Sequence, residues 1–131
     1  MALGSKRVLI VEDDAALALV IRYRLSKAGF ELLHARDGQA AWQAAQREHF
    51  DMVITDEQMP EMTGTQLCLK LRADPRYAHI PIVMVTAKAM EMELSHVAEL
   101  LGLAALVTKP FSPNRLADVV ENCLAVVTAV A

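Results

Sequence analysis

Short apolar runs alternate with longer stretches of helical period along this chain. Arg7-Val8-Leu9-Ile10-Val11 is rich in β-branched residues and stops abruptly at Glu12-Asp13-Asp14. A run of this length bounded by polar residues predicts a buried strand. Comparable runs occupy Glu31 to Ala35, Met52 to Thr55, Ile80 to Val85 and Ala104 to Thr108. Pro81 fits only near the start of its strand, because it lacks the N–H that a ladder needs.

Helical patterns fill the intervals. Asp14 is placed to cap a first helix in which Leu17, Val20, Ile21, Leu25 and Ala28 are expected to face inward, with Gly29 ending it in the left-handed region. Asp37-Gly38 reads as a turn into a second helix through Glu48, with Trp42 packing in the core beside Ala41 and Ala45. A third helix follows Gly64, points Leu67, Cys68 and Leu71 inward, and stops before Asp74-Pro75. A fourth spans Met90 to Leu101, with Leu94, Val97, Ala98 and Leu101 apolar and Gly102 closing it. Ser112 as N-cap and Pro113 at the first helical position open the last, where Leu116, Val119, Val120, Cys123, Leu124 and Val127 keep the helical period.

Five successive strand–helix units predict an α/β fold, an open doubly wound parallel sheet covered on both faces. The 131 residues suffice for one domain with a real core, and 54% hydrophobic against 22% charged content describes a compact folded chain. A net charge of -3 without a Lys/Arg cluster argues against nucleic acid as a direct partner. Lys6-Arg7 reads as a strand edge, and Arg22, Arg24 and Lys27 as a solvated helix face. Cys68 and Cys123 lack metal or disulfide spacing and are expected to be free buried thiols in a reducing cytoplasm. Spanning a bilayer takes about 20 apolar residues, and no such stretch occurs. Residues 1–5 do not have the pattern of a signal peptide, so a cytoplasmic location without membrane insertion is expected.

The strand ends carry the chemistry. Four of the five runs stop at polar groups: Glu12 and Asp13, Asp56, Thr86, and Lys109. In doubly wound sheets ligands bind outside the carboxyl ends of the strands. Crowded carboxylates repel one another and need a cation, and oxygen ligands without Cys or His favour a hard ion such as Mg²⁺. An aspartate beside such an ion is a competent nucleophile toward a phosphoryl donor. Lys109 would neutralise phosphoryl oxygens and Thr86 would donate a hydrogen bond.

Taken in order, four segments resemble the receiver domain of two-component response regulators. They are Val8 to Asp14; Asp51 to Asp56 with Met59-Pro60 and Gly64; Pro81 to Ala87; and Thr108-Lys109-Pro110-Phe111. The resemblance covers residues 6–127, leaving 1–5 as an N-terminal extension and 128–131 as a tail or the start of a linker. It implies a flavodoxin-like (βα)5 sheet with strand order 2-1-3-4-5. It further implies that Asp56 accepts a phosphoryl group from a sensor histidine kinase or phosphotransfer protein. Mg²⁺ would be held by Glu12, Asp13, Asp56 and the Gln58 backbone carbonyl, and Thr86 and Lys109 would grip the phosphoryl group. The Lys109–Pro110 bond is expected to be cis. Output would pass through the fourth helix, fifth strand and fifth helix to a downstream effector, with a homodimer through the same face as one outcome. The chain would catalyse only its own phosphorylation and dephosphorylation, so a turnover enzyme is not expected.

Several positions depart from the family pattern. Glu12 stands where aspartate is more common, and Leu106 stands where many receivers carry a switching aromatic ring. The interval from Thr86 to Lys109 is about one residue longer than in many relatives, within Lys88 to Ser95. Gln58 and Lys88 flank the expected phosphoryl site and should influence dephosphorylation rate. His34, His49, His79 and His96 show no phosphotransfer or metal spacing and receive no role. The alternatives are a degenerate receiver that binds partners without phosphorylation, and a phosphatase with an aspartyl nucleophile. The phosphatase normally has a second aspartate where this chain has Gln58. Flavin binding is disfavoured because no glycine loop follows the first strand.

Overall fold

A computed structural model describes residues 6–130, with side chains through Leu124. The elements alternate as β1 (Arg7–Val11), α1 (Ala15–Lys27), β2 (Glu31–Ala35), α2 (Gly38–Arg47), β3 (Met52–Asp56), α3 (Gly64–Ala73), β4 (Ile82–Ala87), α4 (Glu91–Leu101), β5 (Ala105–Lys109) and α5 (Pro113–Val130). A 3₁₀ turn, Lys88–Met90, joins β4 to α4. The strands form one parallel sheet in the order β2-β1-β3-β4-β5.

Side-chain alternation along each strand divides the core into two layers. Leu9, Val53, Ile82 and Met84 point toward α2, α3 and α4, where Ala41, Ala45, Leu67, Leu71 and Leu94 meet them. Val8, Ile10, Ile54, Val83 and Val107 point the other way, onto Ile21, Leu25, Leu116 and Val120 of α1 and α5. Each fully buried aliphatic side chain contributes about 1.5–3 kcal/mol. Strands this apolar on both faces cannot be exposed on either, which is why helices cover both sides.

Caps set the helix starts. Asp14 accepts from the N–H groups of Ala16 and Leu17, Thr63 and Gln66 form a reciprocal capping box on α3, and the Ser112 hydroxyl accepts from Arg115 N–H. Gly29 and Gly102 leave α1 and α4 at φ 98° and 62°, where an L side chain would be strained.

The structure corrects several local expectations. Val20 does not face inward but is 45% exposed; Ala18, Ile21 and Leu25 form the buried face of α1. Apolar residues surround so much of α1 that periodicity alone did not single out the packed side. Trp42 is only half-buried at the edge of the core, with the Lys70 ammonium 5.5 Å from its ring centroid, while Ala41, Ala44 and Ala45 fill the interior. Asp37 caps α2 through Ala40 N–H rather than simply turning the chain. The fourth strand begins at Ile82 rather than Ile80, beyond the imino residue Pro81, and the fifth is displaced by one residue. Cys68 is buried but Cys123 is half-buried; both are free thiols. The inward position expected for Val127 and the extension at residues 1–5 lie outside what is described.

Candidate functional site

The sheet register assembles the site. Val11 stands opposite Thr55, so Glu12 and Asp56 leave neighbouring strands side by side. Asp56 stands opposite Val85, one residue before Thr86, and Thr86 stands opposite Thr108, one residue before Lys109. The four polar strand ends therefore form a staircase across the carboxyl edge of β1, β3, β4 and β5.

Their atoms converge. Glu12, Asp13 and Asp56 each present a carboxylate oxygen, all within 4.8 Å of one another. Glu12 and Asp56 are buried, while Asp13 is exposed. Lys109 Nζ donates to Asp56 Oδ2 at 3.1 Å. Asp56 Oδ1 and Thr86 Oγ1 are buried with no hydrogen-bond partner. Buried polar atoms are normally satisfied, so two orphans at one strand-end cluster mark a place built for an absent partner. The Lys109–Pro110 bond is cis.

Crowding shows in the proton affinities. Burial pushes the Glu12 carboxyl up to about 7, against the lowering effect of the Asp14 N–H bond and with further upward pressure from the Asp56 charge. Burial lowers the proton affinity of Lys109, but its bond to Asp56 and the charges of Asp56, Glu12 and Asp13 more than offset this, and its net shift is upward. One ammonium among three carboxylates leaves an excess of negative charge. An all-oxygen donor set with an unfilled oxygen on Asp56 fits a hard divalent ion, and Mg²⁺ suits it.

Two expected residues lie at the margin. Gln58 is exposed in the loop after β3, two residues beyond Asp56, while Leu106 is half-buried against the core layer beneath α4. Two residues outside the expected set also bear on the site. His34 Nε2 lies 2.8 Å from the Glu12 carbonyl oxygen, supporting the backbone of a metal-ligand candidate. Glu57 is nearly buried, and its Oε1 accepts from Thr65 N–H at 2.7 Å and the Thr65 hydroxyl at 2.8 Å. An acid directly after a buried strand was the available signal for Glu57. His34 gave no local signal.

Comparison with known proteins decides the family. The family described as response regulator receiver domain matches residues 8–121. The chain belongs to that family. This receiver domain is 35% identical over 117 residues to the chemotaxis protein CheY of Pseudomonas aeruginosa, covering 88% of this chain and 94% of that protein. It is 32% identical to the alkaline phosphatase synthesis transcriptional regulatory protein PhoP of Bacillus subtilis, covering 86% of this chain but 45% of the regulator. The chain thus spans about half the length of the transcriptional regulators it matches. In three dimensions it resembles a CheY-like receiver domain protein from Methanospirillum hungatei, with a TM-score of 0.88 and 27% identity, covering 96% of this chain and 98% of that one. The receiver's five-stranded order 2-1-3-4-5 is thus set in a fold shared with a CheY-like protein.

Proposed function

We propose that this receiver domain is a phosphorylation-controlled switch with Asp56 as phosphoacceptor. The observation that carries the reading is the divided environment of the Asp56 carboxylate, which clusters with the Glu12 and Asp13 acids: one of its oxygens is held by Lys109, and the other is buried and unpartnered. A carboxylate oxygen of Asp56 forms the new O–P bond as the P–N bond of a donor phosphohistidine breaks, and the leaving electron pair stays on the imidazole. Glu12, Asp13, Asp56 and the Gln58 backbone carbonyl would hold Mg²⁺, which supplies charge neutralisation at the phosphoryl oxygens. Lys109 orients Asp56 and then pairs with the phosphoryl group, and Thr86 donates its free hydroxyl to it.

The donor is a sensor histidine kinase or phosphotransfer protein. Added charge at Asp56 draws Thr86 and Lys109 into new bonds, and the α4-β5-α5 face passes the change to an effector. Met92 and Leu100 of α4 are both more than four-fifths exposed and offer apolar surface to an effector or to a second copy in a homodimer. The product is a conformational state rather than a released compound, so this is not a turnover enzyme. The setting is cytoplasmic, with no direct nucleic-acid or membrane role. No helix among the described residues is long and apolar enough to cross a membrane.

The test is incubation with Mg²⁺ and a small acyl phosphate or beryllofluoride, beside Asp56→Asn. A covalent phosphoryl adduct and fluoride-complex binding are expected in the wild type and absent in the variant. A wild type that gains neither would favour the degenerate, phosphorylation-independent receiver.

A further inference from the structure

The loop from Glu57 to Gly64 is fastened at its base more firmly than a turn requires. Glu57 N–H donates to the Val85 carbonyl at 2.9 Å, and Gly64 N–H donates to the Glu57 carbonyl at 3.0 Å. Glu57 is 9% exposed, and its Oε1 takes both the N–H and the hydroxyl of Thr65 in the first turn of α3. A polar group this buried needs hydrogen-bond partners, and the first turn of α3 supplies two donors to it. Gly64 packs so closely on the Asp56 carbonyl oxygen that a Cβ there would overlap it. Within the loop Glu61 holds φ 67°, a left-handed conformation that a non-glycine residue keeps only when its surroundings enforce it.

We propose that Glu57 is a positioning residue: its clamp on Thr65 fixes the backbone of Gln58 and so sets the affinity of the Glu12–Asp13–Asp56 cluster for Mg²⁺. The inference rests on the magnesium reading of that cluster and not on the phosphoacceptor role of Asp56. Glu57 is covalently joined to both Asp56 and Gln58, so a shift of its anchor moves a ligand on either side. Residues that orient metal ligands from outside the coordination sphere commonly change metal affinity by about 10–100-fold when removed.

Calorimetric titration with MgCl₂ tests this. Glu57→Leu should weaken Mg²⁺ binding by about tenfold or more. Glu57→Gln, which keeps an acceptor oxygen for Thr65, should stay within about twofold. Thr65→Val should weaken binding by about threefold, and the double variant should be no weaker than Glu57→Leu alone. Tyr77→Phe serves as the control for stability: it removes a hydroxyl whose one proton is shared between the Ala45 and Glu48 carbonyls and should lower stability without moving Mg²⁺ affinity. An unchanged affinity in Glu57→Leu, or equal losses in the Gln and Leu variants, would overturn the clamp. Should Glu57→Leu not fold, Thr65→Val decides, and wild-type affinity in that variant overturns it. Wild-type protein that binds no Mg²⁺ overturns this inference together with the metal reading. Wild-type protein that binds Mg²⁺ but takes no phosphoryl group overturns only the phosphoacceptor role, and the Glu57 comparison still decides the clamp.

Discussion

Lys109 Nζ lies 3.1 Å from Asp56 Oδ2, while the second oxygen of that carboxylate is buried without a partner. The ammonium fixes the orientation of Asp56 without using up its capacity to bind. The cluster of three carboxylates around one ammonium keeps an excess of negative charge, and the Thr86 hydroxyl beside it has no hydrogen-bond partner. Several consequences of that arrangement are measurable.

Thr86→Val should stabilise the metal-free protein by about 1 kcal/mol, because it removes a buried hydroxyl that has no partner. The same variant should bind beryllofluoride more weakly, having lost the donor. Urea unfolding and fluoride titration measure the two effects, and a destabilised variant would contradict the orphan assignment.

Asp13→Asn should raise stability in EDTA by up to about 1 kcal/mol, since it relieves repulsion in the acidic cluster. It should also abolish the thermal shift that Mg²⁺ produces in the wild type. Thermal unfolding with EDTA and with MgCl₂ separates the two outcomes.

The pH dependence follows from Glu12, whose carboxyl is held at about 7 in the fold against 4.5 unfolded. Between those values the folded state binds more protons, so the Glu12 contribution to stability is lost as pH rises through this window. Mg²⁺ competes with that proton, so its affinity should rise over the same window and level off above about 7. Unfolding in EDTA across the range, compared with Glu12→Gln, isolates the effect; a wild-type-minus-variant slope of the opposite sign rejects it.

Gly64→Ala should cost about 1–3 kcal/mol, because a Cβ would overlap the Asp56 carbonyl and force the chain to shift. Weaker Mg²⁺ binding should accompany the loss, because the displaced peptide belongs to Asp56 itself. Denaturant unfolding and calorimetry on one preparation check both effects.

Arg72→Met should lower stability by about 2 kcal/mol. The Arg72 guanidinium donates to the carbonyls of Leu101 and Gly102 at the end of α4 and to those of Tyr77 and Ile80 before β4. Amide exchange should speed up most at Gly102 and Leu103, whose N–H groups close the α4 terminus. Uniform acceleration across the protein would argue against local anchoring.

Much of the site was legible because it lies at strand ends. An apolar run that stops at an acid, a hydroxyl or an ammonium leaves a one-dimensional trace, and Glu12, Asp56, Thr86 and Lys109 all left one. The packed face of α1 was less legible: Leu17, Leu19, Val20 and Tyr23 are all apolar or aromatic, and only contact with the sheet and α5 selects Ala18, Ile21 and Leu25 for burial. The anchoring groups were least legible. Arg72 looks like any helix-surface cation until the carbonyls of Leu101 and Gly102 fold back onto it, and His34 has no local pattern pointing to Glu12.

The sequence by itself determined the order of elements, the caps at Asp14 and Ser112 and the chemical types available at the sheet edge. These follow from backbone periodicity and local hydrogen bonding, which operate over a few residues. Only the tertiary structure decided which strand ends stand side by side, that one Asp56 oxygen is held while the other is free, and that Glu57 closes on Thr65. Those depend on strand register and burial, which arise from packing the whole sheet between two helix layers and cannot be read from any one segment.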